Sequence, residues 1–187
     1  KLCDDEKITK VFHNALYDLG WLRTEGIEVK GKIIDTMIAA PLLNENRRYY
    51  NLNSLAGDYL GTYKDEKMLK SAAEEFGVDP KAGMWQLPPR YVGKYAEQDA
   101  LITLKLWEDL KLKITKEECS SIFQLETDLL PVLFEMKTKG VRVDIEKAHK
   151  TKKQLAKIEK SLIQEIVKDT GITVEPWVAT SVAKVFD

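Results

Sequence analysis

Cysteine is scarce in these 187 residues: Cys3 and Cys119 stand far apart, with no second Cys or His at ligand spacing beside either. That argues against a zinc site and a disulfide scaffold, and for a reducing, cytoplasmic setting. Long hydrophobic runs are missing as well. No stretch approaches the roughly 20 apolar residues of a membrane helix, and Ile38–Leu43 is interrupted by Pro41. An excess of one charge is missing too, since 29 Lys+Arg against 30 Asp+Glu leave a net charge of −1. A compact nucleic-acid module is usually visibly basic, so overall charge by itself predicts no polyanion partner. There is no internal repeat, no low-complexity tract, no signal-peptide pattern and no initiator Met. Because Ser181–Asp187 looks like a helix just opening, the sequence reads as a piece of a longer chain.

What is present is the composition of a packed core under a solvated surface, 44% hydrophobic and 32% charged. Val11-Phe12-His13 is a short apolar run that stops at Asn14, a favoured N-cap residue. Beyond it Leu16, Leu19 and Leu22 recur at helical spacing as far as Gly26. A second strand region is expected over Ile27–Thr36, then helices over Thr36–Asn44 and Asn51–Leu60, the latter closed by Gly61. Residues 62–90 read as mixed and turn-rich. A long helix follows from Tyr91 to about Leu112, then a helix over Ser121–Thr138 that stops at Gly140. Val141–Asp144 is strand-like, and a helix over Ile145–Asp169 ends at Gly171. The pattern predicts an α/β part joined to a mainly α-helical part near residue 115. Charge does not separate them, with 17 basic and 18 acidic side chains before that point and 12 of each after it.

Two pairs of polar residues four apart stand out: Asn14 with Asp18, and Tyr95 with Asp99. Residues at i and i+4 share a helix face, so each pair aims two polar groups at one place. Asp99 lies on the apolar stripe formed by Val92, Tyr95, Ala96, Ile102, Leu106 and Leu110. A carboxylate there is costly unless paired or bound to a cation. On spacing alone Asp18 is equally well a solvated helix residue, and Tyr95 a core aromatic with a satisfied hydroxyl.

The wording around these pairs is more specific than their spacing. Phe12-His13-Asn14-Ala15-Leu16-Tyr17-Asp18-Leu19 resembles the second motif of the DEDD-type 3′–5′ exonucleases, a branch of the RNase H-like fold. Tyr95-Ala96-Glu97-Gln98-Asp99-Ala100 resembles the third motif in its tyrosine form, and Ile34-Asp35-Thr36-Met37 with Asn53-Ser54-Leu55-Ala56 resembles the segments between. Leu125-Glu126, Leu130-Pro131-Val132-Leu133 and Gly140-Val141-Arg142-Val143-Asp144 resemble the junction from exonuclease to polymerase in family A (DNA polymerase I-like) DNA polymerases. The resemblance implies an exonuclease domain over 1–115 and the beginning of a polymerase domain, thumb base and helix, over 116–187. A phage or prophage source fits the same reading.

For the site, the resemblance implies that four carboxylates hold two divalent cations, Mg²⁺ or Mn²⁺, with Asp18 and Asp99 as two of the ligands. Tyr95 would orient the attacking water. His13, Asn14, Tyr17 and, on a looser alignment, Arg48 would touch the terminal nucleotides of single-stranded DNA. Lys150, Lys153 and Lys157, in the Lys-rich stretch from Lys147 to Lys160, would meet the backbone of primer–template duplex; a solvated helix face is the simpler alternative. A monomer with no membrane partner is expected.

The first family motif, Asp-x-Glu on an early apolar strand, has only Asp4-Asp5-Glu6 to match it. That segment is not apolar and lies a few residues from Asn14. The fragment is therefore expected to be inactive alone, and to fold poorly with sheet edges uncovered. Two other classes compete: an RNase D-like exoribonuclease, which shares the Tyr-x-x-x-Asp helix, and a non-catalytic DNA-binding scaffold.

Overall fold

Val11 and Phe12 form the middle and end of strand β1 (Lys10–Phe12), which pairs in parallel with β2 (Ile33–Asp35), Val11 standing opposite Ile34. These positions come from a computed structural model of the chain, which describes residues 1–186. The architecture is mostly helical around this small parallel sheet. The chain divides into two compact units, Lys1–Lys139 and Gly140–Asp187.

In the first unit, helix α1 (Ala15–Thr24) follows β1 after a sharp turn, and α2 (Thr36–Leu43) follows β2 with no linker. Helix α3 (Leu52–Leu60) is capped by the Asn51 side chain, which accepts from the Ser54 N–H, and is closed by Gly61 at φ 63°. Helix α4 (Lys67–Glu75) and the long α5 (Pro89–Lys116) come next. Pro89 begins α5 at the position where a missing N–H costs nothing. Helix α6 (Ser120–Lys139) completes the unit. Ile34, Leu55, Leu106 and Leu110 are fully buried where α2 and α3 pack on α5. Ala15, Leu19 and Leu130 form a smaller cluster between α1 and α6.

The second unit is built on α7 (Ile145–Thr170), whose first turn is capped by Asp144 accepting from the Lys147 N–H, and whose end is closed by Gly171. A short α8 (Ala179–Ala183) follows. It covers part of the expected Ser181–Asp187 helix; Asp187 itself lies outside the described residues.

Three expectations differ from what is observed. The strand region over Ile27–Thr36 narrows to Ile33–Asp35. Gly31 takes φ 81° and packs so closely on Glu6 that a Cβ there would lie 2.5 Å from the Glu6 carbonyl oxygen, so the segment before β2 bends instead of pairing. The turn-rich stretch contains α4, whose inward face is Leu69, Ala72 and Ala73. Val141–Asp144 pairs with no strand among the described residues, and Val141 and Val143 are exposed.

One buried carboxylate organises the start of the first unit. Asp35, at the end of β2, accepts from the backbone N–H of Asn14 (2.9 Å), Ala15 (2.7 Å) and Met37 (2.8 Å). It thereby caps α1 across the sheet and α2 along the chain. Asp35→Ala leaves one buried and two partly buried amides without their acceptor, the buried one at a cost of about 1–3 kcal/mol. Exchange of the Asn14, Ala15 and Met37 amides, read by NMR, is expected to speed up by about 10- to 100-fold. Unchanged protection would mean that Asp35 is not their cap.

Candidate active site

Asn14 occupies the N-cap position of α1, but its side chain makes no capping hydrogen bond, because Asp35 already serves the first amides. Its backbone is left-handed, φ 68° and ψ 56°, a conformation that Asn tolerates better than most residues. The turn leaves Asn14 exposed and sets Tyr17 and Asp18 one helical turn further on. They line a cleft of about 860 Å³, facing Tyr95 and Asp99 from α5. His13, Asn14, Tyr17, Asp18, Tyr95 and Asp99 are thus brought together, although the two motifs lie some 80 residues apart in sequence.

Lys64, which spacing gave no reason to select, completes the arrangement. Its ammonium donates to Asp99 Oδ2 at 2.8 Å and to the Tyr95 hydroxyl at 3.2 Å. The loop that carries it is pinned at both sides: the Lys64 N–H donates to Asn53 Oδ1 on α3, and the Asp65 N–H to Gln98 Oε1 on α5. Burial pulls the Lys64 pKa down, but the bonds to Asp99 and Tyr95 outweigh it and hold the group above the ordinary lysine value. The other carboxylate oxygen, Asp99 Oδ1, is buried and has no hydrogen-bond partner among the described residues. A buried, unpartnered carboxylate oxygen is an incomplete arrangement that a proton or a cation would complete.

Asp18 is shifted the other way from a paired carboxylate. Burial, followed by the charge of Asp35, raises its pKa. His13 is lowered, chiefly by burial. Its Nδ1 lies 2.8 Å from Thr36 Oγ1, whose own proton goes to the Phe12 carbonyl at 3.2 Å. A hydrogen bond to the Tyr50 backbone works against that lowering, so the imidazole is held by Thr36 and by Tyr50.

The remaining predicted positions lie elsewhere. Arg48 is exposed and outside the cleft, its guanidinium over the Tyr49 ring at 5.4 Å; its neighbour Arg47 is the one held in place, by Asp58 at 2.5 Å. Lys150, Lys153 and Lys157 are exposed on α7 in the second unit. Asp4 and Glu6 are exposed and do not line the cleft; Asp4 pairs with Lys30 at 2.8 Å. Among the described residues no group of three or more His, Cys, Asp or Glu side chains is arranged to hold a metal. None of the helices described is long and apolar enough to cross a membrane.

Two pH effects follow from these shifts. His13 binds its proton less readily folded than unfolded, so its contribution to stability is complete above about pH 6.5 and is lost as pH falls below that value. Asp18, with a raised pKa, disfavours the fold once ionised, so Asp18→Asn is expected to raise Tm at neutral pH. Thermal unfolding of the wild type, His13→Gln and Asp18→Asn between pH 5 and 8 reads both. A lower Tm for Asp18→Asn at pH 7.5 would contradict the assignment.

The chain was compared with known proteins. A family model described as 3′–5′ exonuclease, from the A-type DNA polymerases, matches residues 1–115. A DNA-directed DNA polymerase of Pseudomonas phage M6 is 32% identical over 160 residues, which are 84% of this chain and 24% of that protein. DNA polymerase DpoZ of Salmonella phage PMBT28 is 32% identical over 183 residues, 95% of this chain and 29% of that protein. DNA polymerase I of Treponema pallidum is 30% identical over 144 residues, 75% and 14% respectively. The chain thus spans less than a third of the length of these relatives. Among solved structures, the POL domain of Pol1 from M. smegmatis, in complex with DNA primer-template and dNTP, covers 98% of this chain at a TM-score of 0.71. It shares 18% sequence identity, a likeness of fold, and the match takes in 28% of that structure's chain. On the family match over residues 1–115, this chain belongs to the 3′–5′ exonuclease family of the A-type DNA polymerases.

Proposed function

We propose that the chain is part of the proofreading region of a DNA polymerase, the region that in the whole enzyme removes 3′-terminal nucleotides from single-stranded ends. The observation that carries this reading is the cleft itself: Asp18, Tyr95 and Asp99 converge in it, and Asp99 Oδ1 is buried there without a partner. The relatives, all DNA polymerases, and the primer–template bound to the structural neighbour support the same substrate class. In this reading residues 1–115 are an RNase H-like exonuclease domain. Residues 116–187 begin the polymerase domain, with Lys150, Lys153 and Lys157 set along α7 to meet DNA phosphates.

Asp99 Oδ1 and the Asp18 carboxylate are the oxygens that would hold a divalent cation. Such cations, Mg²⁺ or Mn²⁺, supply an activated water and stabilise the departing 3′ oxygen when bound. Lys64 fixes the rest. By donating to the Tyr95 hydroxyl oxygen it leaves that hydroxyl's own proton free to donate to a water in the cleft. By holding Asp99 Oδ2 it leaves Oδ1 as the free oxygen. His13 and the Asn14 amide line the cleft as partners for a nucleotide.

Among the described residues two carboxylates line the cleft, fewer than two-metal hydrolysis uses, so the chain alone is expected to bind a cation and a 3′ end without turnover. In a DNA polymerase carrying this sequence, Asp99→Ala is expected to cut release of the 3′ nucleotide from single-stranded DNA by at least about 100-fold. Primer extension should stay within about twofold, since the cleft lies apart from nucleotidyl transfer in this reading. Exonuclease activity surviving Asp99→Ala would overturn the proposal.

A further inference from the structure

The face of α1 that carries Tyr17 and Asp18 continues one turn further to Trp21. Ala15 and Leu19 take the opposite side of the helix into the core. Of the four tryptophans, Trp21 is the one that lines the cleft. Trp21 is 59% exposed and Tyr17 beside it 58%. The two rings meet edge to face, 6.3 Å apart at 66°. An exposed aromatic pair at the lip of a site, with one ring bracing the other, is a surface that a flat partner would cover.

The charges in the cleft say how that partner is held. The carboxylates Asp18 and Asp99 and a single ammonium, Lys64, line it. The lining side chains themselves release few counterions from a phosphate backbone, so apart from any bound cation they give a strand little electrostatic hold. Stacking remains. It is sequence-tolerant, because every base has a π-face, and an unpaired base offers that face most freely. We propose that Trp21, braced by Tyr17, is a stacking platform for an unpaired base of the strand entering the cleft. The inference rests on the exonuclease reading above.

The test is a fluorescence anisotropy titration of the full chain with a labelled oligothymidylate in Mn²⁺, the oligonucleotide being checked for intact length afterwards. A second oligonucleotide is abasic at its last two 3′ positions. Trp21→Ala is expected to weaken binding of the ordinary oligonucleotide by about 10- to 100-fold, and Trp21→Phe by no more than about threefold. The abasic oligonucleotide should bind wild type and Trp21→Ala alike, and wild type should bind it about 10- to 100-fold more weakly than the ordinary one. That last comparison needs no substitution, so it stands even if a variant is unstable. Equal affinity of wild type for the two oligonucleotides, or of Trp21→Ala and wild type for the ordinary one, overturns the platform and leaves the exonuclease reading in place. Absence of binding by wild type to either oligonucleotide overturns the exonuclease reading, and the platform with it.

Discussion

The Asp35 carboxylate, 5% exposed, gathers three backbone N–H groups that belong to the starts of two helices. A buried anion is tolerated when it is fully hydrogen-bonded, and helix N-termini are where such bonds are on offer. Because Asp35 sits at the end of β2, directly beside Phe12 in the parallel ladder, it fixes where α1 departs from β1. The left-handed turn at Asn14 is the geometry that brings the Asn14 and Ala15 amides to that carboxylate. Everything displayed on the outer face of α1, from Asn14 through Asp18 to Trp21, inherits its position from this anchor.

Across the cleft the logic is complementary. Asp35 is a carboxylate with its partners supplied by backbone, whereas Asp99 has one oxygen satisfied by Lys64 and one left buried and bare. Leaving a buried polar atom unmet costs stability. The raised pKa of Asp18 carries the same sign, since its ionised form is disfavoured where it stands. Both costs fall on the residues that face the cleft and not on those that build the core, the distribution expected where binding and not folding sets the arrangement.

Much of this was legible in the sequence where a single local rule governs. Gly61, Gly140 and Gly171 take positive φ at the predicted helix stops, and Asn51 and Asp144 cap the helices they precede. Apolar spacing located α1, α2, α3, α5, α6 and α7 to within a few residues. The misses have physical reasons. Helix α4 buries two alanines and one leucine, too small an apolar stripe to register among the glycines and prolines around it. Val141 and Val143 alternate like a strand, but a strand requires a neighbour to pair with. Asn14 was a sound cap by residue type, yet a carboxylate 21 positions away took its role. Lys64 is invisible to spacing because it sits in a loop, and its position depends on Asn53 and Gln98 holding that loop from two different helices. Net charge is uninformative for a similar reason: a near-zero total hides carboxylates gathered in a cleft and lysines gathered on α7.

In the proposed site the bare oxygen of Asp99 takes a divalent cation, with Asp18 as its neighbour. The most direct measurement is an anomalous difference map from a crystal of the chain soaked in Mn²⁺, compared with one of Asp99→Asn. A Mn²⁺ peak bonded to Asp99 Oδ1 is expected in the wild type and none in the variant. A peak that persists in Asp99→Asn, or Mn²⁺ bound at other carboxylates with the cleft empty, would contradict it.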